Sequence, residues 1–375
     1  MVDASVTVKL VEGLIHLSWQ NIVMMGVGGI LIYLAISREY EPVLLLPIGA
    51  GAILANIPAT ELNSPEGLFG VLYNTGIKNE LFPLLIFIGV GAMTDFGPLL
   101  ERPYTVILGA AAQFGIFGTL LLATLLGFKI NEAASIGIIG SADGPTSIYV
   151  ASVLAPHLLA PIAVAAYSYM SLVPIIQPPI MKALTSKEER AIVMPFADAK
   201  PVSKKTKILF PIVTTVVCGL IAPMSAPLIG MLMFGNLLRE SGVVERLSNT
   251  AQNELINIVT IFLGITIGST MVGEQFLNWQ TIMIISMGLV AFCLDTVAGL
   301  SFGKALSIIT KGKVNPLIGA SGISAFPMSA RVVNKVGLEA NPNNYLIFHA
   351  MGSNTAGQIG SVMAGGAILA LLAGG

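Results

Sequence analysis

The chain has 375 residues, of which 54% are hydrophobic and only 10% are charged. A soluble domain carries about a quarter charged residues, so this composition excludes an ordinary soluble protein and indicates a multi-pass protein of the cell (plasma or inner) membrane, surrounded by lipid. The net charge is −1 and no basic run interleaves with aromatic residues, which argues against a nucleic-acid partner. The 2 cysteines and 3 histidines show no redox or metal spacing.

Apolar runs of helical length follow one another along the chain in two groups. The first group covers about residues 21–37, 42–56, 82–96, 104–128, 133–155 and 157–183, and the second about 208–222, 227–238, 256–271, 281–302, 314–328 and 345–372. A basic stretch with two prolines separates them and is cytoplasmic by the positive-inside rule. We therefore divide the chain into a mildly amphipathic N-terminal segment (1–20), a first transmembrane repeat (21–183), a connector (184–206) and a second repeat (207–375).

The two halves are similar in sequence, which indicates an internal duplication. Short phrases of the first half recur in order in the second: Pro47–Asn56 as Pro227–Asn236, Asn79–Leu81 as Asn253–Leu255, and Phe87–Thr94 as Phe262–Thr270. The spacing between copies is nearly constant. Each half also contains one polar segment interrupted by Gly and Pro, at 140–146 and at 319–327.

The polar segments decide how the halves are oriented. If both are re-entrant hairpins, each half has about five spans, an odd number, and the copies are inverted in the membrane. Most basic residues then lie on the cytoplasmic side, while Lys9, Lys78 and Lys129 lie outside. If both segments cross the membrane fully, this asymmetry weakens. We expect an all-α polytopic fold of two inverted repeats, each with a broken helix or re-entrant hairpin.

The first polar segment places Asp143 and a Gly-Pro pair at the depth of the membrane. An ionisable residue in a hydrophobic span costs roughly 2.5 to 3.5 kcal/mol on insertion scales and is by default a functional-site hypothesis. Broken backbone at this depth must be buried in protein or line a cavity. The carbonyls freed by the break, the Asp143 carboxylate and the Thr146 or Ser147 hydroxyl form a set of oxygens suited to a small hard cation.

The second polar segment and the last span offer neutral oxygens of the same kind. In the second segment these are Asn315, Ser324 and the backbone around Gly319. In the last span, Asn354 and Ser361 belong to a polar cluster that could face the same cavity. A second interpretation stands beside this one, since Asn and Ser also pack transmembrane helices through interhelical hydrogen bonds.

Two further residues allow two interpretations each. Tyr169 follows the first polar segment and is either a cavity residue or a packed core tyrosine with a satisfied hydroxyl. Arg331 follows the second polar segment and either extends its charge to the membrane surface or binds an anionic group.

Three blocks carry these motifs: Gly140–Thr146, Asn315–Arg331 and Gly352–Ser361. Together they closely resemble the beta subunits of the sodium-translocating biotin-dependent decarboxylases, whose members act on oxaloacetate, methylmalonyl-CoA, glutaconyl-CoA or malonate. The resemblance covers nearly the whole chain. The departures from the family pattern are Ser141 in the first block, Ile323, Phe326 and Ser329 in the second, and Ser353, Thr355 and Gln358 in the third.

The resemblance implies an enzyme subunit. It would accept carboxybiotin from a carrier domain, decarboxylate it and use the free energy to export sodium ions. Sodium and carboxybiotin are the implied ligands. The implied partners are a soluble carboxyltransferase subunit, a biotin carrier protein or domain, a small gamma-type membrane subunit and further copies of this chain.

The resemblance also implies roles for single residues. The family's functional aspartate falls on Asp143, its tyrosine on Tyr169, and the Asn, Gly, Ser and Arg of its second block on Asn315, Gly319, Ser324 and Arg331. Asp143, Asn315 and Ser324 would help to bind sodium, and Tyr169 would take part in ion or proton handling. We extend this by expecting Arg331 to attract the carboxybiotin carboxylate.

Two other functions compete with this one. The first is a stand-alone cation-coupled secondary transporter or antiporter that uses the same inverted-repeat site. The second is a structural membrane anchor for a complex, which leaves the buried Asp143 without a role.

Overall fold

The computed structural model describes residues 12–194 and 202–373, and the described part is helical without β-strands. In chain order, the α-helices are α1 (Trp19–Ser37), α2 (Pro42–Ala55), α3 (Leu68–Leu72), α4 (Leu81–Met93), α5 (Gly97–Glu101), α6 (Thr105–Ala112), α7 (Phe114–Leu125), α8 (Ile130–Gly137), α9 (Gly144–Leu154), α10 (Leu159–Ser171), α11 (Val173–Leu184), α12 (Lys187–Arg190), α13 (Lys204–Ile221), α14 (Ala226–Ser241), α15 (Glu245–Thr250), α16 (Ile256–Ser269), α17 (Gly273–Phe276), α18 (Trp279–Ile309), α19 (Met328–Ala340) and α20 (Ile347–Leu372). Short 3₁₀ turns lie at Glu61–Asn63, Ile138–Ser141, Pro156–Leu158, Pro223–Ser225 and Pro316–Gly322, and π-helical turns at Tyr73–Ile77 and Ala251–Leu255.

The described helices confirm an all-α polytopic protein. Five helical stretches are long and apolar enough to cross a membrane, and up to seven if two bent pairs each count as one span. The bends are 60° before α4 and 65° between α10 and α11. Of the predicted segments, most of 1–20 and the middle of the connector 184–206 lie outside the described residues.

Glycines let helices from the two halves of the chain pack backbone to backbone. A Cβ built on Gly51 of α2 would lie 2.3 Å from the carbonyl oxygen of Ile265 in α16, and one on Gly268 would lie 2.1 Å from that of Ile48. The pair α4 and α14 repeats this arrangement, with Gly91 against Leu232 at 1.8 Å. Side chains larger than hydrogen do not fit, so these glycines fix the approach of each pair.

A buried asparagine connects each of these pairs. Asn56 donates hydrogen bonds from Nδ2 to the carbonyls of Ala52 and Met271, each at 2.8 Å, and accepts one from the Gly273 N–H at 3.0 Å. Asn236 donates from Nδ2 to the Thr94 carbonyl at 2.9 Å. Both amides therefore bond the carbonyl that a helix of the other half leaves free at its end.

Replacing Asn56 with leucine should lower the stability of the protein by about 1–3 kcal/mol, because the Met271 carbonyl and Gly273 N–H would stay buried without partners. Thermal unfolding in detergent measures this effect. Asn253→Ala is the matched control, since Asn253 is exposed and bonds only within its own turn, to the Asn249 carbonyl. Equal melting temperatures for the two variants would contradict the assigned role of Asn56.

Candidate functional site

The first polar segment is a broken helix whose two arms fold back on each other. The chain runs from α8 through the 3₁₀ turn Ile138–Ser141, and Ala142 then adopts a left-handed conformation with φ 53°. This conformation costs a non-glycine residue roughly 1–2 kcal/mol. Asp143 follows as the N-cap of α9, with Pro145 in the first turn. The arms α8 and α9 contact each other, so the break lies at the apex of the fold-back.

The Asp143 carboxylate is buried and accepts three hydrogen bonds. Oδ1 accepts from the Thr146 N–H at 3.2 Å, and Oδ2 accepts from the Thr146 hydroxyl at 2.8 Å and from the Ser361 hydroxyl of α20 at 2.7 Å. The positive end of α9 also favours the charge. A hydroxyl that donates its proton keeps its lone pairs, so Thr146 and Ser361 can still offer oxygen to a cation beside the carboxylate.

The second polar segment meets the first through its backbone. The Ser324 N–H donates to the Ser141 carbonyl at 2.9 Å. The Ser324 hydroxyl donates to the Gly357 carbonyl of α20 at 2.8 Å. Two amides of α20 return bonds to this segment: Asn354 Nδ2 to the Ile323 carbonyl at 2.6 Å, and Gln358 Nε2 to the Ser324 carbonyl at 3.0 Å. The two breaks and the last helix thus form one hydrogen-bonded unit.

A cavity of about 320 Å³ lies beside this unit. Asp143, Ser324 and Gln358 line it, together with Tyr167 of α10 and Thr260 of α16. The Tyr167 ring presses on the first turn of α9: a Cβ built on Gly144 would lie 2.1 Å from it. Among the described residues, Asp143 and Glu41 are the two carboxylate residues that line this otherwise largely apolar cavity. A buried carboxylate of this kind is by default a functional-site candidate in a membrane protein.

The cavity continues toward one surface of the protein. Gln252 borders both this cavity and a neighbouring one, where Arg239 and Glu245 are found. The Arg239 guanidinium donates to the Met93 carbonyl at 2.7 Å, and Met93 also lines the Asp143 cavity. The two cavities are therefore neighbours that meet at Gln252.

Three of the predicted site residues lie near Asp143 and one more contacts its partners. Thr146 and Ser361 bond its carboxylate, Ser324 shares its cavity, and Asn354 holds the carbonyl next to Ser324. The alternative role in helix packing also fits Asn354, since its bond joins α20 to the second break.

Asn315 and Gly319 lie elsewhere in the second segment. The Asn315 amide donates to the carbonyls of Arg190 and Ile192, at 3.0 and 2.9 Å, and caps the 3₁₀ turn. A Cβ on Gly319 would lie 2.0 Å from the carbonyl oxygen of Gly299 in α18, so Gly319 serves close packing. Neither residue lines the Asp143 cavity.

Tyr169 and Arg331 also lie away from the cavity lining. The Tyr169 hydroxyl donates to the Ile285 carbonyl of α18 at 2.5 Å, which satisfies it in the way expected of a core tyrosine. Arg331 is exposed in the first turn of α19, directly after the second break.

The sequence interpretation missed a second buried carboxylate, Asp295, in the middle of α18. It is 0% exposed, and the nearest backbone N–H groups belong to Gly115 and Ile116 at the amino end of α7. Cβ atoms on Gly115 and Gly140 would lie 1.9 and 2.5 Å from its two oxygens. The signal was available, because Asp295 interrupts an apolar run as Asp143 does. Asp295 lines none of the cavities described here, and neither of its carboxylate oxygens has a hydrogen-bond partner among the described residues.

These features define a class of protein: a polytopic membrane protein that holds a carboxylate at a junction of broken helices beside a cavity, as ion-translocating proteins do. Comparison with known proteins identifies the family. The sequence model of the Na⁺-transporting oxaloacetate decarboxylase beta subunit matches residues 20–372, so the chain belongs to this family.

Relatives cover almost the whole chain. It is 57% identical to the glutaconyl-CoA decarboxylase subunit beta of Acidaminococcus fermentans, over 97% of this chain and 96% of that protein. It is 56% identical to the methylmalonyl-CoA decarboxylase subunit beta of Veillonella parvula, over 96% and 95%. It is 47% identical to the oxaloacetate decarboxylase beta chain of Klebsiella pneumoniae, over 95% and 96%. The family resemblance is thus confirmed, and the chain is a membrane-bound decarboxylase subunit of a sodium pump rather than a stand-alone transporter.

The two neighbouring tyrosines should respond differently to removal of their hydroxyls. Tyr169→Phe loses the bond to Ile285, so we expect a loss of about 0.5–1.5 kcal/mol in stability and an unchanged dependence on sodium. Tyr167→Phe removes a buried hydroxyl that bonds to no described residue and lies within electrostatic reach of Asp143. It should change the sodium concentration at half-maximal activity with little loss of stability.

Thermal unfolding and sodium titration of decarboxylase activity on both variants check this pair. A large change in sodium dependence for Tyr169→Phe alone would instead support the family-derived role of Tyr169 in ion or proton handling.

Proposed function

We propose that this chain decarboxylates carboxybiotin on its cytoplasmic side and couples that reaction to sodium export through Asp143. The observation that carries the proposal is the position of Asp143: it is buried within an apolar segment, accepts a hydrogen bond from Ser361 of α20 and lines a cavity. Sodium is the transported substrate, and carboxybiotin arrives bound to another protein.

The sodium site consists of the Asp143 carboxylate with the hydroxyl oxygens of Thr146 and Ser361. Ser324 adds oxygen from the second break, and its bond to Ser141 holds the two breaks in register. Asn354 acts on the site through the backbone beside Ser324. Asn315 and Gly319 act from further away, by fixing the second segment to the connector and to α18.

The two halves form an inverted repeat. Equivalent positions in the two halves make equivalent hydrogen bonds. Asn56 and Asn236, which end the matching segments of the two halves, each bond the carbonyl that follows a helix of the opposite half. A π-helical turn precedes both α4 and α16, at Tyr73–Ile77 and Ala251–Leu255. Each half also contains one broken segment, and these meet at Ser141 and Ser324. This exchange of partners between halves supports a pseudo-twofold relation.

The chemistry needs a proton and produces carbon dioxide. The bond between the carboxyl carbon and the biotin ureido nitrogen breaks, CO₂ leaves, and the nitrogen takes up a proton. Arg331 is exposed beside the second break, so it can attract the anionic carboxybiotin when the carrier docks. A carboxyltransferase subunit, a biotin carrier, a gamma-type membrane subunit and further copies of this chain complete the assembly.

Asp143→Asn should abolish sodium-dependent decarboxylation and leave assembly intact, because the amide keeps the shape but lacks the charge that binds the cation. The purified chain in sodium-loaded vesicles, supplied with free carboxybiotin, measures both activity and sodium flux. Glu339→Gln is the control, since Glu339 lies near the surface in a pair with Lys182 and does not line the Asp143 cavity.

Normal sodium dependence in Asp143→Asn would overturn the site. Flux in the unsubstituted chain that responds to a solute or proton gradient but not to carboxybiotin would favour the stand-alone transporter instead.

Ser361→Ala should raise the sodium concentration for half-maximal activity up to about tenfold, equivalent to about 1.4 kcal/mol, because it removes one of the hydroxyl oxygens that hold the ion beside the Asp143 carboxylate. The maximal rate should change much less. Ser135→Ala is the control, since Ser135 is also buried but bonds only to the Asn131 carbonyl of its own helix. Sodium titrations that coincide for Ser361→Ala and the unsubstituted protein would remove Ser361 from the site.

A further inference from the structure

The two helices that line the Asp143 cavity also line a second cavity at their opposite ends. Tyr167 of α10 and Thr260 of α16 lie at the first cavity. Pro161 of α10 and Ser269 of α16 lie at the second, which has a volume of about 710 Å³. The carboxyl end of α10 therefore lies beside the amino end of α16, and the cavities open toward opposite sides of the membrane.

A thin apolar barrier separates the cavities along these helices. Ala163 and Ala166 of α10, with Leu263 and Ile267 of α16, are each at most 1% exposed. All four belong to one hydrophobic cluster. Pro161 and Tyr167 are six residues apart in α10, and Thr260 and Ser269 are nine apart in α16. At 1.5 Å per residue the barrier is therefore ~9 Å thick along α10 and ~14 Å along α16.

The second cavity has a mixed lining of apolar side chains and polar groups, and its polar groups are neutral apart from His157, which pairs with Glu132. Its amide and hydroxyl side chains include Asn63, Asn74, Thr270, Asn278 and Thr281. Such groups bind a monovalent cation weakly and can share it with its water shell, whereas the Asp143 carboxylate binds it more strongly. Conduction requires sites that an ion can leave, and this lining meets that requirement.

The charge distribution indicates which side the second cavity faces. Its wall includes Asn74 in the π-helical turn that leads to Lys78, one of the few basic residues expected outside. The Asp143 cavity instead borders the one with Arg239, on the side expected to be cytoplasmic. The second cavity therefore faces away from the cytoplasm.

We propose that this second cavity, the outer vestibule, is the site from which hydrated sodium ions leave the protein after crossing the barrier that Ala163, Ala166, Leu263 and Ile267 help to form. The proposal rests on the sodium export assigned to Asp143. It adds the exit site, the neutral oxygens that receive the ion, and the position of the closed barrier.

Side-specific labelling in the assembled complex tests the vestibule. In a background with Cys218 and Cys293 replaced by alanine, Thr270→Cys should react with a membrane-impermeant methanethiosulfonate added from outside, in intact spheroplasts. Thr260→Cys should react only in inside-out vesicles. Modified Thr270→Cys should lose sodium export, whereas modified Met224→Cys should keep it, since Met224 is exposed on the same side, in the turn between α13 and α14, and does not line the vestibule.

Labelling of Thr270→Cys only from the cytoplasmic side, or unchanged export after its modification, would overturn the proposal. If Thr270→Cys does not assemble, Asn74→Cys on the facing wall gives the same test. The outcome is separable from that of the site itself: loss of flux in Asp143→Asn together with unaffected export in labelled Thr270→Cys rejects the vestibule and retains the sodium site.

Discussion

The burial of one carboxylate in the membrane is the constraint on which the rest of the structure depends. Unpaired, Asp143 would cost several kcal/mol at this depth. The chain offsets this cost without a basic side chain, through the amino end of α9 and the hydroxyls of Thr146 and Ser361. A helix end at membrane depth requires a break in the helix, and the backbone groups freed by that break require hydrogen-bond partners. The fold-back, the second segment and the position of α20 all follow from this requirement.

The second break shows how exposed backbone is satisfied where water is scarce. Its carbonyls are bonded by side-chain amides from several helices: Gln113 to Gly322, Asn354 to Ile323, Gln358 to Ser324 and Gln177 to Ala320. Glycines let those helices come close enough. Each amide fixes one carbonyl, so the segment is held rigidly although it is not a regular helix. Gln358, a departure from the family pattern, is both one of these clamps and a cavity residue.

The sequence alone predicted a helical membrane protein and pointed to Asp143. Both predictions rest on the free energy of placing a residue in the membrane, which depends on local composition. It also assigned Thr146, Ser324, Asn354 and Ser361 to one candidate site, because the two broken segments and the polar last span are recognisable from their residues. It could not rank Tyr167 against Tyr169, because two residues in one helix point in different directions that only neighbouring helices determine. Asp143 and Asp295 both interrupt an apolar run, yet of the two only Asp143 lines a cavity described here. This difference also depends on the neighbouring helices.

Transport also requires that Asp143 can exist without its ion. Three hydrogen bonds to the carboxylate stabilise the charge when sodium is absent, so departure of the ion does not leave a bare anion in the membrane. In the proposed mechanism the hydroxyls of Thr146 and Ser361 offer an oxygen to the ion when it binds, and their bonds to the carboxylate weaken at that point. A moderate affinity follows, and moderate affinity is what a pump needs if the free energy of one decarboxylation is to release each bound ion.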